Sequence, residues 1–272
     1  MSEPQVTILI PNYKTPELTK ICCRLIRKYT PQSLYRVIAI DNASGEGEES
    51  LEYLRSLSWI TLLERDISDD PRPGLSHSRA LDLAVSQTAT PYVLSIHTDT
   101  FTHHPEWLQY LIQEIEKSDQ IGGVGSWKLE YKPFFKRLAK KIEYAFQSTI
   151  YPLIGKGEGH LAGKGKNYYY LRSHCALYRT DLIKQYGLSF AEGADTAGKV
   201  LHKRLEDNGH KMVFLPSESL VKYVYHANHA TMVLNPELGS GKKSVSSGTK
   251  RIQKVLDNVN YKAILADDSL DQ

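Results

Sequence analysis

Short apolar runs rich in β-branched residues alternate with segments of helical period along the first half of the chain. This alternation limits the architecture more than any other feature. Val6-Thr7-Ile8-Leu9-Ile10 stops at Pro11-Asn12, and Tyr35-Arg36-Val37-Ile38-Ala39-Ile40 stops at Asp41-Asn42-Ala43-Ser44-Gly45, a loop of turn formers. Between them Leu18, Ile21, Cys22, Leu25, Ile26 and Tyr29 recur at helical spacing behind Thr15-Pro16-Glu17, a cap, a first-turn proline and a first-turn acid. A helix through Leu51 and Leu54, a strand at Trp59–Leu63, a helix through Ala80, Leu81, Ala84 and Val85, and a strand at Pro91–Ile96 extend the series. The order β-α-β-α-β-α predicts an α/β fold with a mostly parallel, Rossmann-like sheet flanked by helices. Such sheets bind ligands outside the carboxyl ends of their strands. Asn12, Asp41 and Asp99 all fall at such ends.

The second half is less regular. Ile121–Gly125 reads as a glycine-rich fifth strand, Tyr168–Tyr178 as another, and Met212–Leu215 as a last one stopped by Pro216. A helix is expected from about Asp195 to Asn208, closed by Gly209. Phe134, Phe135, Leu138, Ile142, Ala145 and Phe146 form an apolar stripe beside Lys132, Lys136, Arg137, Lys140 and Lys141. That stripe either packs on the core or rests on an anionic membrane surface. Gly155–Gly165 reads as a mobile loop, and the polar stretch from Gly239 onward as a tail that is loose or ordered by a ligand.

Composition excludes several classes. With 41% hydrophobic and 24% charged residues the chain has a globular balance. Its apolar runs fall far short of the roughly 20 residues that span a bilayer. The start shows neither the basic nor the apolar region of a secretory signal, so a cytoplasmic protein is expected. Cys22, Cys23 and Cys175 form neither a disulfide framework nor a metal knuckle, and reduced, buried thiols are expected. A net charge of +3 is modest and argues against a nucleic-acid partner. Pro11-Asn12-Tyr13-Lys14-Thr15 carries neither GxGxxG nor GxxxxGKS/T, so a dinucleotide fold and a P-loop both lose weight.

His97-Thr98-Asp99 sits at an abrupt junction of strand and loop. A carboxylate there can hold a divalent ion that bridges a diphosphate, because hard cations prefer oxygen ligands. The competing reading, a cap for the helix near Pro105, is disfavoured by the intervening Phe101–His104.

Taken in order, VTILIPNYK, IAIDNASGEG, PGLSHSRALDLA and YVLSIHTDTF followed by PEWL resemble the nucleotide-binding motifs of family 2 glycosyltransferases of the GT-A fold, of the bacterial type that builds glycans and polysaccharides. The resemblance runs through most of the chain. It implies that Pro11, Tyr13 and Asp41 line the base and ribose pocket of a nucleoside diphosphate sugar. It places Arg79 near the nucleotide or diphosphate, and Thr98 and Asp99 at the sugar-nucleotide and metal site. The implied cofactor is a divalent ion, Mn2+ or Mg2+, held by Asp99 and by a histidine of Val221–Thr231; His226 fits best and His229 second. One position departs from the family: its metal motif usually begins with an acid, where this chain has His97. That exchange bears on the ribose contact and on the metal.

In inverting members an aspartate at a helix start deprotonates the acceptor hydroxyl. By resemblance Asp195 takes that role, with Glu192 in reserve, although Ala194-Asp195 replaces the usual Glu-Asp pair. Read from the residues alone, Asp195 equally suits a helix N-cap. Trp127 falls where acceptor contacts tend to lie, and stacks on a sugar or joins the core. The expected organisation is one GT-A domain over 1–238, with a nucleotide half at 1–126 and an acceptor half at 127–238, then a tail at 239–272. The implied activity is an inverting hexosyl transfer to a hydroxyl of a glycan or lipid-linked acceptor, with peripheral membrane contact as an option. The alternative is a sugar-nucleotide-binding protein that has lost catalysis, motivated by His97 and the missing pair. A nucleotidyltransferase would want a glycine- and arginine-rich phosphate loop where PNYKTPE stands.

Overall fold

The computed structural model describes residues 3–66, 72–129, 142–146, 148–150, 163, 165–193, 196–228, 230–235 and 242–272. Its strands are β1 (Val6–Asn12), β2 (Tyr35–Asn42), β3 (Ile60–Arg65), β4 (Tyr92–Ile96), β5 (Thr100–Thr102), β6 (Ile121–Gly125), β7 (Cys175–Arg179), β8 (Lys211–Phe214) and β9 (Val224–His226). Among the described residues, seven of these form one sheet in the order β3-β2-β1-β4-β7-β6-β8. The first four run parallel, β7 runs antiparallel to both of its neighbours, and β8 pairs parallel with β6.

β1 is buried along its whole length, which is why it reads as an unbroken apolar run rather than as an alternation. Its side chains still divide between two faces. Ile8 and Ile10 join one core with Ile21 and Leu25 of α1 (Pro16–Tyr29), while Leu9 joins another with Ala80, Leu81 and Ala84 of α3 (Pro73–Ser86), the helix that follows α2 (Glu49–Ser56). Burying each Ile or Leu contributes roughly 1.5–3 kcal/mol before the entropy of ordering is charged against it. Trp107 and Leu111 of the helix Trp107–Ile115 extend the first core, and Leu201 and Leu205 of the helix Lys199–Asp207 extend the second. Gly125 lets β6 close on β7: a Cβ there would lie 2.7 Å from the Cys175 carbonyl oxygen.

Several expectations are corrected. The strand predicted over Tyr168–Tyr178 begins at Cys175, because Arg172–Cys175 forms a turn, closed by a Cys175 N–H donating to the Arg172 carbonyl. The helix predicted from about Asp195 begins at Lys199, after Gly198 adopts a left-handed φ of +73° as its N-cap. The Gly198 Cα packs close to the Phe190 ring, which a side chain there would approach at 3.3 Å.

The tail, expected to be loose or ordered by a ligand, carries regular structure. Lys242–Asn258 is helical and packs on Ala230–Leu234, where Gly248 faces Val233 so closely that a Cβ would meet a valine methyl at 2.5 Å. Ile252, Leu256, Val259 and Ile264 are buried. The end of the chain is pinned by the buried Arg24, which donates to the carbonyls of Ile264 and Leu265 and pairs with Asp268 and Asp271. The apolar positions of this tail are spaced helically, and lysine and serine between them disguise the period.

The three cysteines are buried and free. Among the described residues no helix is long and apolar enough to cross a membrane. Of the predicted apolar stripe, the described Ile142 and Phe146 are 63% and 65% exposed, so this part does not pack on the core. Lys132–Lys141, Asp195, His229, most of Gly155–Gly165 and residues 239–241 lie outside the described residues.

Candidate active site

The parallel strands β1, β2 and β4 end on one side of the sheet, and each delivers polar groups there. Asn12 and Asp41 face each other in register across β1 and β2. The Asn12 side-chain amide donates to Asp41 Oδ1 at 2.8 Å and to Ser50 Oγ at 2.9 Å, and the Thr19 hydroxyl donates to Asn12 Oδ1 at 2.8 Å. Asp41 further accepts from Ser44 N–H at 2.8 Å and Ser44 Oγ at 2.6 Å. Three protein donors thus occupy a carboxylate with about four acceptor positions. Asp41 is thereby tied into the fold at the ends of β1 and β2. Pro11 is buried within β1, and Tyr13 follows, half-buried, with the Lys14 ammonium 5.2 Å from its ring centre.

Past β4 the chain turns through His97-Thr98-Asp99 into β5. The Thr98 hydroxyl is buried and turned to Thr15 Oγ1, 3.1 Å away, which ties the start of α1 to this turn. Thr15 makes no side-chain cap on its own helix. Asp99 does not cap the helix near Pro105 either. Its Oδ2 accepts from Ala230 N–H at 2.9 Å, 131 positions away.

The pairing of β5 with β9 sets Thr100 opposite His226, and Ala227 N–H donates to the Asp99 carbonyl at 2.9 Å. His226 Nε2 consequently lies 3.1 Å from Asp99 Oδ1. The pair lacks the alignment of a hydrogen bond, so Asp99 Oδ1 and both ring nitrogens of His226 are buried without a hydrogen-bond partner. His97 Nδ1 lies 3.8 Å from the same oxygen. The donor atoms of His97, Asp99 and His226 all fall within 4.8 Å of one another.

Buried polar atoms without partners are uncommon and costly. Here they come from the Asp99 carboxylate and the His226 imidazole, and with the half-buried His97 beside them they make a donor set that suits a divalent ion. Burial would raise the Asp99 carboxyl, but His226 and His97 beside it and the Ala230 N–H outweigh this and hold it below the usual carboxylate range. Partial burial lowers His97 below its ordinary value, helped by His77, His226 and Arg172, though its side chain stays 32% exposed. An imidazole kept neutral is the form that ligates a metal.

Around this centre stand residues that sequence reasoning missed. Ser173 Oγ lies 3.0 Å from His97 Nε2 and 3.1 Å from His77 Nε2. His77 is pushed down to about 4 by burial. His174 stacks on His226 with centroids 4.5 Å apart, and its Nε2 lies 3.0 Å from Ser126 Oγ. The one available signal was the polar Arg172-Ser173-His174 interrupting an otherwise strand-like run. Arg79, expected near the diphosphate, is exposed on α3, two residues on from His77 and roughly 200° round the helix from it. His77 is the residue of this motif that joins the cluster.

Trp127 follows β6 and is half-buried. It packs against Tyr169 and Tyr170 at 5.1 and 5.0 Å, with the Arg172 guanidinium 5.3 Å from its ring centre. Glu192 accepts from Arg204 Nη1 with both oxygens, at 3.0 and 3.2 Å. Just before it, Asp82 of α3 accepts from Ser189 Oγ, Phe190 N–H and Ala191 N–H at 2.6, 2.6 and 3.1 Å, which anchors the loop leading to Glu192.

A model of glycosyl transferase family 2 matches residues 7–187. Among solved structures, a mannosyltransferase of Pyrobaculum calidifontis in complex with GDP-Man and Mn2+ is similar with a TM-score of 0.53 and 17% identity, over 79% of this chain and 56% of that one. TarS of S. aureus is similar with a TM-score of 0.51 and 16% identity, over 86% of this chain and 63% of that one. Glucosyl-3-phosphoglycerate synthase of Mycobacterium tuberculosis, in complex with phosphoglyceric acid, is similar with a TM-score of 0.50 and 17% identity, over 92% and 80% of the two chains. This chain therefore spans less than two thirds of the first two proteins, and at these identities the likeness is one of fold. No curated protein matches.

Proposed function

The chain belongs to glycosyl transferase family 2, and from that premise we propose that it moves a sugar from a nucleoside diphosphate sugar to a hydroxyl of a glycan or glycolipid acceptor. The observation that carries this reading is the buried Asp99 Oδ1, left without a hydrogen-bond partner between His226 and His97 at the end of β4. A divalent ion held there, Mn2+ or Mg2+, would offset the charge that develops on the leaving diphosphate.

The remaining roles belong to the chain's own residues. Pro11, Tyr13 and Asp41 shape the end of the nucleotide pocket, and Trp127 offers a half-buried aromatic face to a sugar. Asp195 takes the proton of the acceptor hydroxyl as its oxygen bonds to the anomeric carbon, and the bond from that carbon to the diphosphate oxygen breaks on the opposite face. Glu192 is a poorer base, because Arg204 already holds its carboxylate. Exposed Ile142 and Phe146, next to the lysines of 132–141, support a peripheral place at the inner face of a membrane, where lipid-linked acceptors are found.

The second reading, a sugar-nucleotide binder without catalysis, draws on His97 in place of an acid and on the engaged Glu192. One experiment tests both. The protein is melted with UDP- and GDP-sugars, with and without Mn2+, and donor turnover is followed in the samples that shift. Ligands of the native state raise the melting temperature. A shift with turnover supports transfer, a shift without turnover supports the binder, and no shift across the panel sinks both.

A further inference from the structure

His97 is the position at which the metal motif departs from its family, and the hydrogen bonds around it bear on what replaces the missing acid. Ser173 Oγ sits between His97 Nε2 and His77 Nε2, at 3.0 and 3.1 Å. One hydroxyl has one proton and two lone pairs, so it donates to at most one of the two rings. If His97 Nε2–H donates to Ser173, the serine proton is left for His77 or another acceptor, and His97 Nδ1 presents a lone pair to Asp99 Oδ1. In the reverse arrangement Nδ1–H faces that oxygen from 3.8 Å, too far for a hydrogen bond. Either arrangement serves the Ser173 contacts, but only the first leaves the inward nitrogen unprotonated beside Asp99 Oδ1 and His226 Nε2, the form a metal ion requires.

The spacing agrees. An ion bonded at about 2.1 Å to two donors holds them roughly 3.0–3.4 Å apart. The observed separations are 3.1 Å from Asp99 Oδ1 to His226 Nε2 and 3.8 Å to His97 Nδ1, so a small rotation of His97 closes the set.

We propose that His97 is a third protein ligand, bound through Nδ1 and oriented by Ser173 and His77, so that the centre is a two-imidazole, one-carboxylate site selective for a transition-metal ion over Mg2+. This rests on the reading of the site as metal-dependent. The reason for the selectivity is the donor set. Imidazole suits first-row transition ions, whereas Mg2+ wants oxygen ligands and gives up its waters reluctantly. An acid at position 97 would add a hard oxygen and a negative charge; histidine adds neither. Ser173 acts as a positioning residue, as partners of metal-bound histidines do by fixing tautomer and ring orientation.

The test uses the full chain stripped of metal with EDTA. Co2+ is titrated in alone, then with UDP or GDP present, followed by its visible d–d absorption, with Mg2+ as competitor. Co2+ is expected to bind at least about tenfold more tightly than Mg2+. Ser173→Ala should weaken Co2+ about tenfold or more, His97→Ala should weaken it further and change the band shape, and His97→Asp should shift preference towards Mg2+. Pulsed EPR of the Mn2+-loaded native protein counts the ligands without any variant, and two coupled imidazole nitrogens are expected. A single nitrogen, or Mg2+ binding as tight as Co2+, overturns the role of His97 while leaving a metal-dependent enzyme. Failure of every ion to bind, with or without nucleotide, overturns the metal reading as well.

Discussion

Asp99 divides its carboxylate between the fold and the site: Oδ2 accepts from Ala230 N–H at 2.9 Å, while Oδ1 lies 3.1 Å from His226 Nε2 without a hydrogen bond. Asp99→Asn keeps an oxygen for Ala230 but loses the charge. Transfer should fall at least about 100-fold, Mn2+ should no longer strengthen UDP or GDP binding, and the melting temperature should change little. Calorimetric titration of the nucleotide with and without Mn2+ checks this, and retained Mn2+ enhancement would remove Asp99 from the metal site.

Asp195 and Glu192 separate by readout. Asp195→Asn should cut transfer by about 10²–10⁴ with donor affinity intact, as loss of a general base does. Glu192→Gln should leave transfer largely unchanged, costing at most about 1 kcal/mol through the partly exposed Arg204 pair. The opposite pattern in steady-state kinetics would exchange the two roles.

Arg24 closes the C-terminal end onto α1. Arg24→Met should destabilise by about 3 kcal/mol, because the Leu265 and Ile264 carbonyls lose the guanidinium donor and Asp271 its charged partner. Denaturant unfolding measures the loss, and protease should cut near residue 260 first.

The same anchor has an acid limit. Burial would raise the Asp271 carboxyl, but Arg24 and the Tyr53 hydroxyl outweigh it and bring it below its ordinary value. A carboxyl depressed in the folded state stabilises fully above the unfolded value near about 3.9 and loses that contribution as pH falls through the folded value. Melting temperature followed from about pH 6 down to about pH 2 should drop more steeply for the native chain than for Asp271→Asn. Parallel curves would show that the contact does not couple to folding.

Gly125→Ala would set a Cβ 2.7 Å from the Cys175 carbonyl oxygen and 3.1 Å from Ala176 Cα, backbone atoms with nowhere to go. A loss of roughly 1–3 kcal/mol is expected. Because Ser126 and His174 flank this contact, Co2+ or Mn2+ affinity should fall as well. A variant as stable as the native chain would mean that β6 and β7 separate easily.

Local chemistry makes much of this protein legible in its residue order. β1, β2, β4 and β6 fall where their apolar runs stop at turn formers, since a strand buried on both faces needs no alternation. Asn12, Asp41 and Asp99 stand out as strand-end groups for the same reason. Residue order misleads where local preference and tertiary demand part. Tyr168–His174 has the tyrosines of a strand, yet Ser173 and His174 leave the ladder to bond histidines and Ser126. Gly198, not Asp195, starts the helix that follows, because a left-handed turn is cheap only for glycine.

Residue order alone thus indicated the α/β sheet, the strand ends that carry polar groups and Asp99 among those groups, because periodicity and turn chemistry act over a few neighbours. Which side chains gather around Asp99 was decided in three dimensions. His226 reaches Asp99 only because β5 and β9, three residues each, pair across the chain, and His77 and Ser173 meet His97 only once α3 and β7 pack on the sheet. No local pattern encodes such pairings, since their free energy comes from burying surfaces that are distant along the chain.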